Sequence, residues 1–302
     1  MEDFQTLVHM QNLNAATVEE NLELASAGTV GDYYDVCQFW YRAFYSDRVS
    51  LGVHYGIWPR SGMARVDALI EPYRIALDEL RPKPGDWLLD AGCGIGGASR
   101  WLALNSAARF TGISVSPIQI ARARRHIARR GLAGRVDFHC MDYHRTSFSD
   151  ARFDHVFGIE SFCYSYPTPS VLFRELHRVL KPGGRLVMLD GILRRWPANR
   201  AEQHLADAFS AGFSMRGWNT ADQIMQSLRE TGFRHIHFTD QTPFIEPSVE
   251  DIHRRHLLFR HLRHFRPLVP AEVIQSLEGT AVQREMYRAG LFGYALFSAE
   301  KQ

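Results

Sequence analysis

The chain has 302 residues, of which 45% are hydrophobic and 23% charged, and a formal net charge of +2. That composition supplies a full core, and the charge is too small for affinity to nucleic acid or membrane to follow from bulk electrostatics. Cys37, Cys93, Cys140 and Cys163 form no C-x-x-C pair and read as reduced thiols; with no basic-then-apolar leader and no run long enough to span a bilayer, a cytoplasmic enzyme is expected.

Val18 to Ala27 is patterned as an amphipathic helix and offers a surface on which a second copy would dock, so a homo-oligomer is one expectation. From residue 87 onward, strand and helix patterns alternate, which implies a parallel sheet covered on both faces. Trp87 to Asp90 is the first strand and Gly96 to Asn105 its helix. Arg109 to Ile113 follows, then a helix from Pro117 to Arg130, with proline in its first turn and Gly131 at its end. Val136 to Cys140 and Phe153 to Ile159 are the third and fourth strands. A helix from Pro169 to Leu180 leads through Lys181-Pro-Gly-Gly184 into a strand at Arg185 to Leu189. Helices are predicted at 198 to 212 and 220 to 231, and strands at Arg234 to Phe238 and Leu291 to Ala299. The stretch between those last two strands far exceeds a hairpin loop and is expected to join residues 192 to 218 and the N-terminal helices in a cap. The fold class is therefore α/β, with a helical cap at 1–75, a core at 76–191, and remaining strands and cap insertions at 192–302, all in one structural domain.

The most telling segment is Asp90-Ala-Gly-Cys-Gly-Ile-Gly-Gly97, at the end of the first strand. Gly92 and Gly94 let backbone approach a ligand closely, and Asp90 can accept hydrogen bonds from a cationic one. Further along, Glu160 closes the fourth strand, at the sheet edge where α/β proteins bind ligands. Tyr33, Tyr34, Phe39, Trp40, Tyr41, Phe44, Tyr45, Tyr55 and Trp58 form a dense aromatic run, most of it expected to serve packing.

The D-x-G-x-G-x-G-G order resembles the first motif of class I S-adenosylmethionine (SAM) methyltransferases. The resemblance implies a Rossmann-like, mostly parallel seven-stranded sheet, with Asp90 receiving the methionyl amino group and Gly92 and Gly94 in the turn. Gly112-Ile-Ser-Val-Ser-Pro-Ile-Gln119 resembles a segment of the C-methylating branch, which includes sterol, tocopherol and bacterial terpenoid enzymes, and implies Ser114 and Gln119 as ribose contacts. It also implies Asp142 as the adenine partner, with Tyr143 and Ile159 beside it. Val53-His-Tyr-Gly-Ile57 and Glu160-Ser-Phe-Cys-Tyr164 resemble segments of bacterial prenyl diphosphate C-methyltransferases. Ala208-Phe209, Asp240-Gln-Thr-Pro243 and Glu250 to Arg254 follow that family's order of cap elements. Two departures stand out. Sterol and tocopherol enzymes carry histidine where this chain has Tyr164, and the asparagine-containing segment that the prenyl diphosphate enzymes place before H-Y-G-I is replaced by Asp47-Arg-Val-Ser-Leu-Gly52.

The resemblance implies methylation of an isoprenoid double bond, on a prenyl diphosphate or on a prenyl tail of a natural product such as an indole alkaloid, with cyclisation as a further option. The alternative is O- or N-methylation of a small natural product. Carbon methylation leaves a carbocation, which aromatic faces attract by roughly 0.5 to 2 kcal/mol each and a carboxylate can stabilise and deprotonate. Glu160, Tyr34, Tyr55, Tyr164 and Phe209 are the catalytic candidates on that reading; His54, Trp58, Arg254 and Arg255 are substrate candidates, the arginines for an anionic headgroup. His253, His256, His261 and His264 have no supporting cysteine or carboxylate pattern, so no metal site is expected, and Mg²⁺ enters only with a diphosphate substrate. The basic helices carry no aromatic-basic nucleic-acid motif.

Overall fold

The computed structural model describes residues 28–45 and 48–302; Val18 to Ala27 and Asp47 lie outside them. Trp87–Ala91 (β1) lies inside the sheet, and its Leu88, Leu89 and Ala91 are wholly buried. Burial of successive residues belongs to a strand covered on both faces. Arg109–Ser114 (β2) and Val136–Cys140 (β3) extend the sheet on one side. Phe153–Ile159 (β4), Leu180–Leu193 (β5), Phe233–Asp240 (β6) and Phe292–Lys301 (β7) form the other, in the order β3-β2-β1-β4-β5-β7-β6. All neighbours are parallel except β7, which runs antiparallel to both β5 and β6. Chain order reverses between β1 and β4, and ligands of open α/β sheets bind in the crevice that such a reversal leaves at the strands' carboxyl ends.

Gly28–Phe44 (α1) and Arg65–Leu80 (α2) precede the sheet; Gly97–Asn105 (α3), Pro117–Ala128 (α4) and Pro169–Val179 (α5) alternate with its strands. The boundary expected at residues 75 and 76 falls inside the continuous α2, whose Tyr73, Ala76 and Leu80 are buried in the core cluster with Leu88 and Phe110. The α4 start follows the sequence: Ser116 caps it by accepting from the Gln119 N–H at 3.0 Å, and Pro117 takes the first turn. The predicted fifth strand begins earlier than expected, where Leu180 pairs with Phe153 of β4, and runs on to Leu193, where nine residues of β7 pair with it from Arg185 onward.

Arg200–Gly212 (α6), Ala221–Glu230 (α7), Glu246–Phe259 (α8) and Ala271–Arg288 (α9) complete the helices. Together α1, α6 and α9 form a wall over the carboxyl edge. Tyr33, Cys37 and Tyr41 of α1 pack on Val273, Ile274 and Leu277 of α9. The Gly212–Gly279 contact lets α6 and α9 approach backbone to backbone; a Cβ on Gly212 would stand 2.3 Å from the Gly279 Cα. At its other side α1 is fastened to the sheet layer by the hydrogen bond from Ser116 Oγ to Asp35. No helix among the described residues is long and apolar enough to cross a membrane.

Candidate functional site

A cavity of about 470 Å³ opens at the β1/β4 reversal and extends beneath α1, α6 and α9. The sheet supplies one end of it. Asp90 sits at the end of β1, 2% exposed, accepting a 2.5 Å hydrogen bond from Ser99 of α3. The turn that follows has positive φ at Gly92, Gly94 and Gly96. At Gly92, with φ +96°, a Cβ would lie 2.2 Å from the Ser161 Cβ, so the β1 and β4 loops meet there without a side chain between them. Ser161 Oγ donates to Ala91 O at 2.6 Å and locks that approach.

Of the expected cofactor contacts, Asp90, Gly92, Gly94, Ser114, Gln119, Asp142, Tyr143 and Ile159 all line this cavity. Ser114 Oγ donates to Gln119 Oε1 at 2.8 Å, so the two act as one polar unit. Asp142 is oriented by His144, whose backbone N–H and Nδ1 contact Oδ1 at 2.8 and 2.9 Å. The Tyr143 hydroxyl donates to Ser161 O at 2.5 Å. His144 Nε2 is buried with no hydrogen-bond partner. A buried carboxylate, a turn that a Cβ would block and an unpaired imidazole nitrogen fit a cationic nucleoside ligand.

Glu160 stands one residue beyond β4 with φ +49°, a left-handed conformation that is rare for a residue with a side chain. It is set by the Tyr55 N–H, which donates to Glu160 Oε1 at 2.7 Å, and by Asp190 of β5. Asp190 accepts from the N–H groups of Phe162, Cys163 and Gly191 at 2.7, 3.1 and 2.8 Å, holding the turn after Glu160. Burial pushes Glu160 up to about 8, against the Tyr55 N–H and with help from the neighbouring Asp190. Burial likewise raises Asp90 and Asp190 to about 7.

The other end of the cavity is aromatic. Phe209 of α6 packs with Trp218, Phe213 and Phe292 at centroid separations of 4.9, 5.1 and 5.4 Å, and Tyr55 stands 5.4 Å from Phe292. Tyr34 and Tyr164 join by a 2.9 Å hydroxyl contact across the space between α1 and the β4 loop, and the Tyr164 hydroxyl also donates to Phe213 O at 3.0 Å. Thus Glu160, Tyr34, Tyr55, Tyr164 and Phe209 line one cavity.

Three of the four substrate candidates lie off the lining. Trp58 is not on the lining, because its Nε1–H donates to Ser248 Oγ at 2.9 Å and turns the indole against α8. Arg254 and Arg255 are also off the lining; both turn to Asp251, one helical turn back, at 3.8 and 2.8 Å. His54 does line the cavity, but its Nδ1 and Nε2 bond the Tyr55 carbonyl and the Tyr73 hydroxyl, each at 2.9 Å, so it braces the wall. Sequence reasoning missed Asp190, Trp218, Phe292, Gln38 and Gln283. An acidic residue inside the apolar fifth strand was the one readable signal among these.

Residues 89–188 match the model of a methyltransferase domain. Methyltransferase GfsG of Streptomyces halstedii is 29% identical over 297 residues, covering 96% of this chain and 100% of that protein. A 24-methylenesterol C-methyltransferase 2 of Oryza sativa subsp. japonica is 34% identical over 158 residues, 52% of this chain but only 43% of that protein. The crystal structure of the [4+2]-cyclase SpnF superposes with a TM-score of 0.75 at 26% identity, covering 91% of this chain and 96% of that one. Sheet order, crevice and relatives together support a class I S-adenosylmethionine-dependent methyltransferase.

Proposed function

We propose that this enzyme methylates a carbon of an isoprenoid double bond, carried on an uncharged prenyl tail, beside Glu160. The observation that supports this most is the pairing of a buried carboxyl with an aromatic enclosure in one cavity. S-adenosylmethionine supplies a methyl group on a cationic sulfur, and Asp90, Ser114, Gln119 and Asp142 are the residues proposed to hold it. When the alkene's π electrons form the new carbon–carbon bond, positive charge develops on the neighbouring carbon. The faces of Tyr55, Phe209, Trp218 and Phe292 attract that charge by roughly 0.5 to 2 kcal/mol each and exclude water from it. The Glu160 carboxylate accepts the adjacent proton, and the product alkene forms. A diphosphate is a poorer fit than a neutral tail, because Arg216 is the single arginine or lysine among the described lining residues.

Incubation with SAM carrying a CD₃ group, against farnesol, geraniol and prenylated indoles, tests the proposal. NMR of the product is expected to place CD₃ on carbon; label found only on oxygen or nitrogen would overturn it. The second reading, O-methylation, gains support from Glu160 itself, since a carboxyl titrating at about 8 also suits removal of a proton from a hydroxyl.

The buried carboxyls make cofactor binding sensitive to pH. Asp90 has a folded value above its unfolded one, so its contribution to stability is complete below the ordinary carboxylate range and is lost as pH climbs through about 7. A cationic ligand favours the ionised form. SAM is therefore expected to bind more tightly as pH rises from about 6 to about 8 and to release protons near neutrality. Calorimetry in two buffers of different ionisation enthalpy measures that release, and a pH-independent affinity without release would contradict it.

A further inference from the structure

Helix α8 is apolar on two faces, and among the described residues only one of them is covered. The inner face runs through Val249, Ile252 and Phe259: Val249 is buried, Ile252 lines the cavity, and Phe259 packs on the cluster that Tyr33 and Tyr41 form with α9. The outer face carries Arg254, Leu257, Leu258 and His261 at helical spacing, all exposed, the last of them in the 3₁₀ turns Arg260–Leu268 that continue the helix. Leu258 is 73% exposed, and Leu268, at the end of those turns, 82%. The neighbouring α1 adds to this surface. Its Trp40 packs on the same cluster as Phe259, while Phe39 is 62% exposed and Arg42 is exposed one turn further on. A lone exposed leucine is ordinary, but apolar side chains gathered this way mark a surface that meets something else.

The charge here has one sign. Between Ile252 and Leu268 stand five arginines and no aspartate or glutamate. Helix α4, which packs on α1, has five more arginines and no acidic residue from Pro117 to Arg130. Burial, then Arg42 and Arg125, draw the Arg122 guanidinium below its ordinary range, so the positive charge of α1 and α4 is gathered in one place. The small net charge of the whole chain hides this local excess. Exposed leucines among arginines fit a surface that is anionic outside and apolar just beneath, as a bilayer with acidic phospholipids is. A nucleic acid, bound through its phosphates, gives the leucines no burial, and a second copy seated on the same face would set arginine against arginine.

We infer that the outer face of α8 and the turns after it dock on an anionic phospholipid bilayer, with Leu257, Leu258 and Leu268 among the headgroups and the arginines on lipid phosphates. The helix that rests on the membrane is the one whose opposite face lines the cavity at Ile252. A lipophilic acceptor dissolved in the bilayer is thereby met close to the site. The inference does not depend on which atom of the acceptor is methylated.

Cosedimentation of the full chain with vesicles tests it, using phosphatidylcholine alone or mixed with phosphatidylglycerol, at physiological ionic strength and at high salt. Partitioning is expected to be at least ~10-fold stronger on the anionic vesicles and to weaken in high salt. Arg254→Glu with Arg260→Glu should lower it at least ~10-fold, and Leu258→Gln with Leu268→Gln at least ~5-fold. All four side chains are exposed, so S-adenosylhomocysteine affinity, which reports folding, should stay at the wild-type level in both variants, and the comparison of vesicles needs no variant. No partitioning, equal partitioning on the two vesicles, or partitioning unchanged in both variants would overturn the inference. So would an arginine-only dependence accompanied by binding to polyuridylate, which would make the face one for nucleic acid. Because the vesicles carry neither methyl donor nor acceptor, a negative result leaves carbon methylation standing, and CD₃ found on oxygen leaves the docking standing.

Discussion

Glu160→Gln is expected to lower turnover by at least ~100-fold while SAM affinity stays within about threefold of wild type, because the substitution removes a base and an anion but preserves shape. Gln can still accept from the Tyr55 N–H, so the loop should hold its course. The pH profile sharpens the test. Glu160 must be ionised to stabilise a cation or take a proton, and burial has raised it to about 8. In the free enzyme kcat/KM should therefore rise with pH up to about that value and level off above it, and the glutamine variant should lose the rising limb. A variant that turns over within a few-fold of wild type, or keeps the same limb, would remove Glu160 from the chemistry.

Gly92→Ala is expected to abolish measurable cofactor binding and lower Tm by roughly 5–10 °C. Two effects add. The backbone there has φ +96°, where an L side chain is strained, and the new methyl would sit 2.2 Å from the Ser161 Cβ. Neither side can yield easily, since Ser161 is tied to Ala91 O and the turn beyond it to Asp190. Adding Ser161→Gly removes the collision but not the dihedral strain, so the double variant should recover part of the Tm. Thermal melts of the two single variants and the pair, with SAM titrations, measure this. An alanine variant that melts and binds like wild type would mean the two loops are not packed as described.

The sheet was legible because its strands are short apolar runs punctuated by glycine and proline. Val136–Cys140 and Phe153–Ile159 have the observed limits of β3 and β4. The crevice residues were legible for a related reason: Asp90, Gly92, Ser114 and Asp142 are fixed by where their strands end. The acceptor end was harder to read. Phe209, Trp218 and Phe292 come together from α6, the loop after it and β7, and no one of them carries a local pattern. Gln38 and Gln283 are single polar residues on amphipathic helices, where exposure is the ordinary expectation. Trp58 is close to Tyr55 in sequence, but its indole N–H bonds Ser248 and it lies off the lining. Arg254 and Arg255 pair with Asp251 on their own helix, a partner that charge along a helix face does not reveal.

The left-handed backbone at Glu160 sets architecture and chemistry at odds over a single position. Glycine would adopt that bend freely and carry no carboxyl into a dry interior, so the scaffold alone gives no reason for an acid there. Retaining one holds the molecule below the sturdiness its topology allows, and the deficit is widest at alkaline pH, where the group is charged.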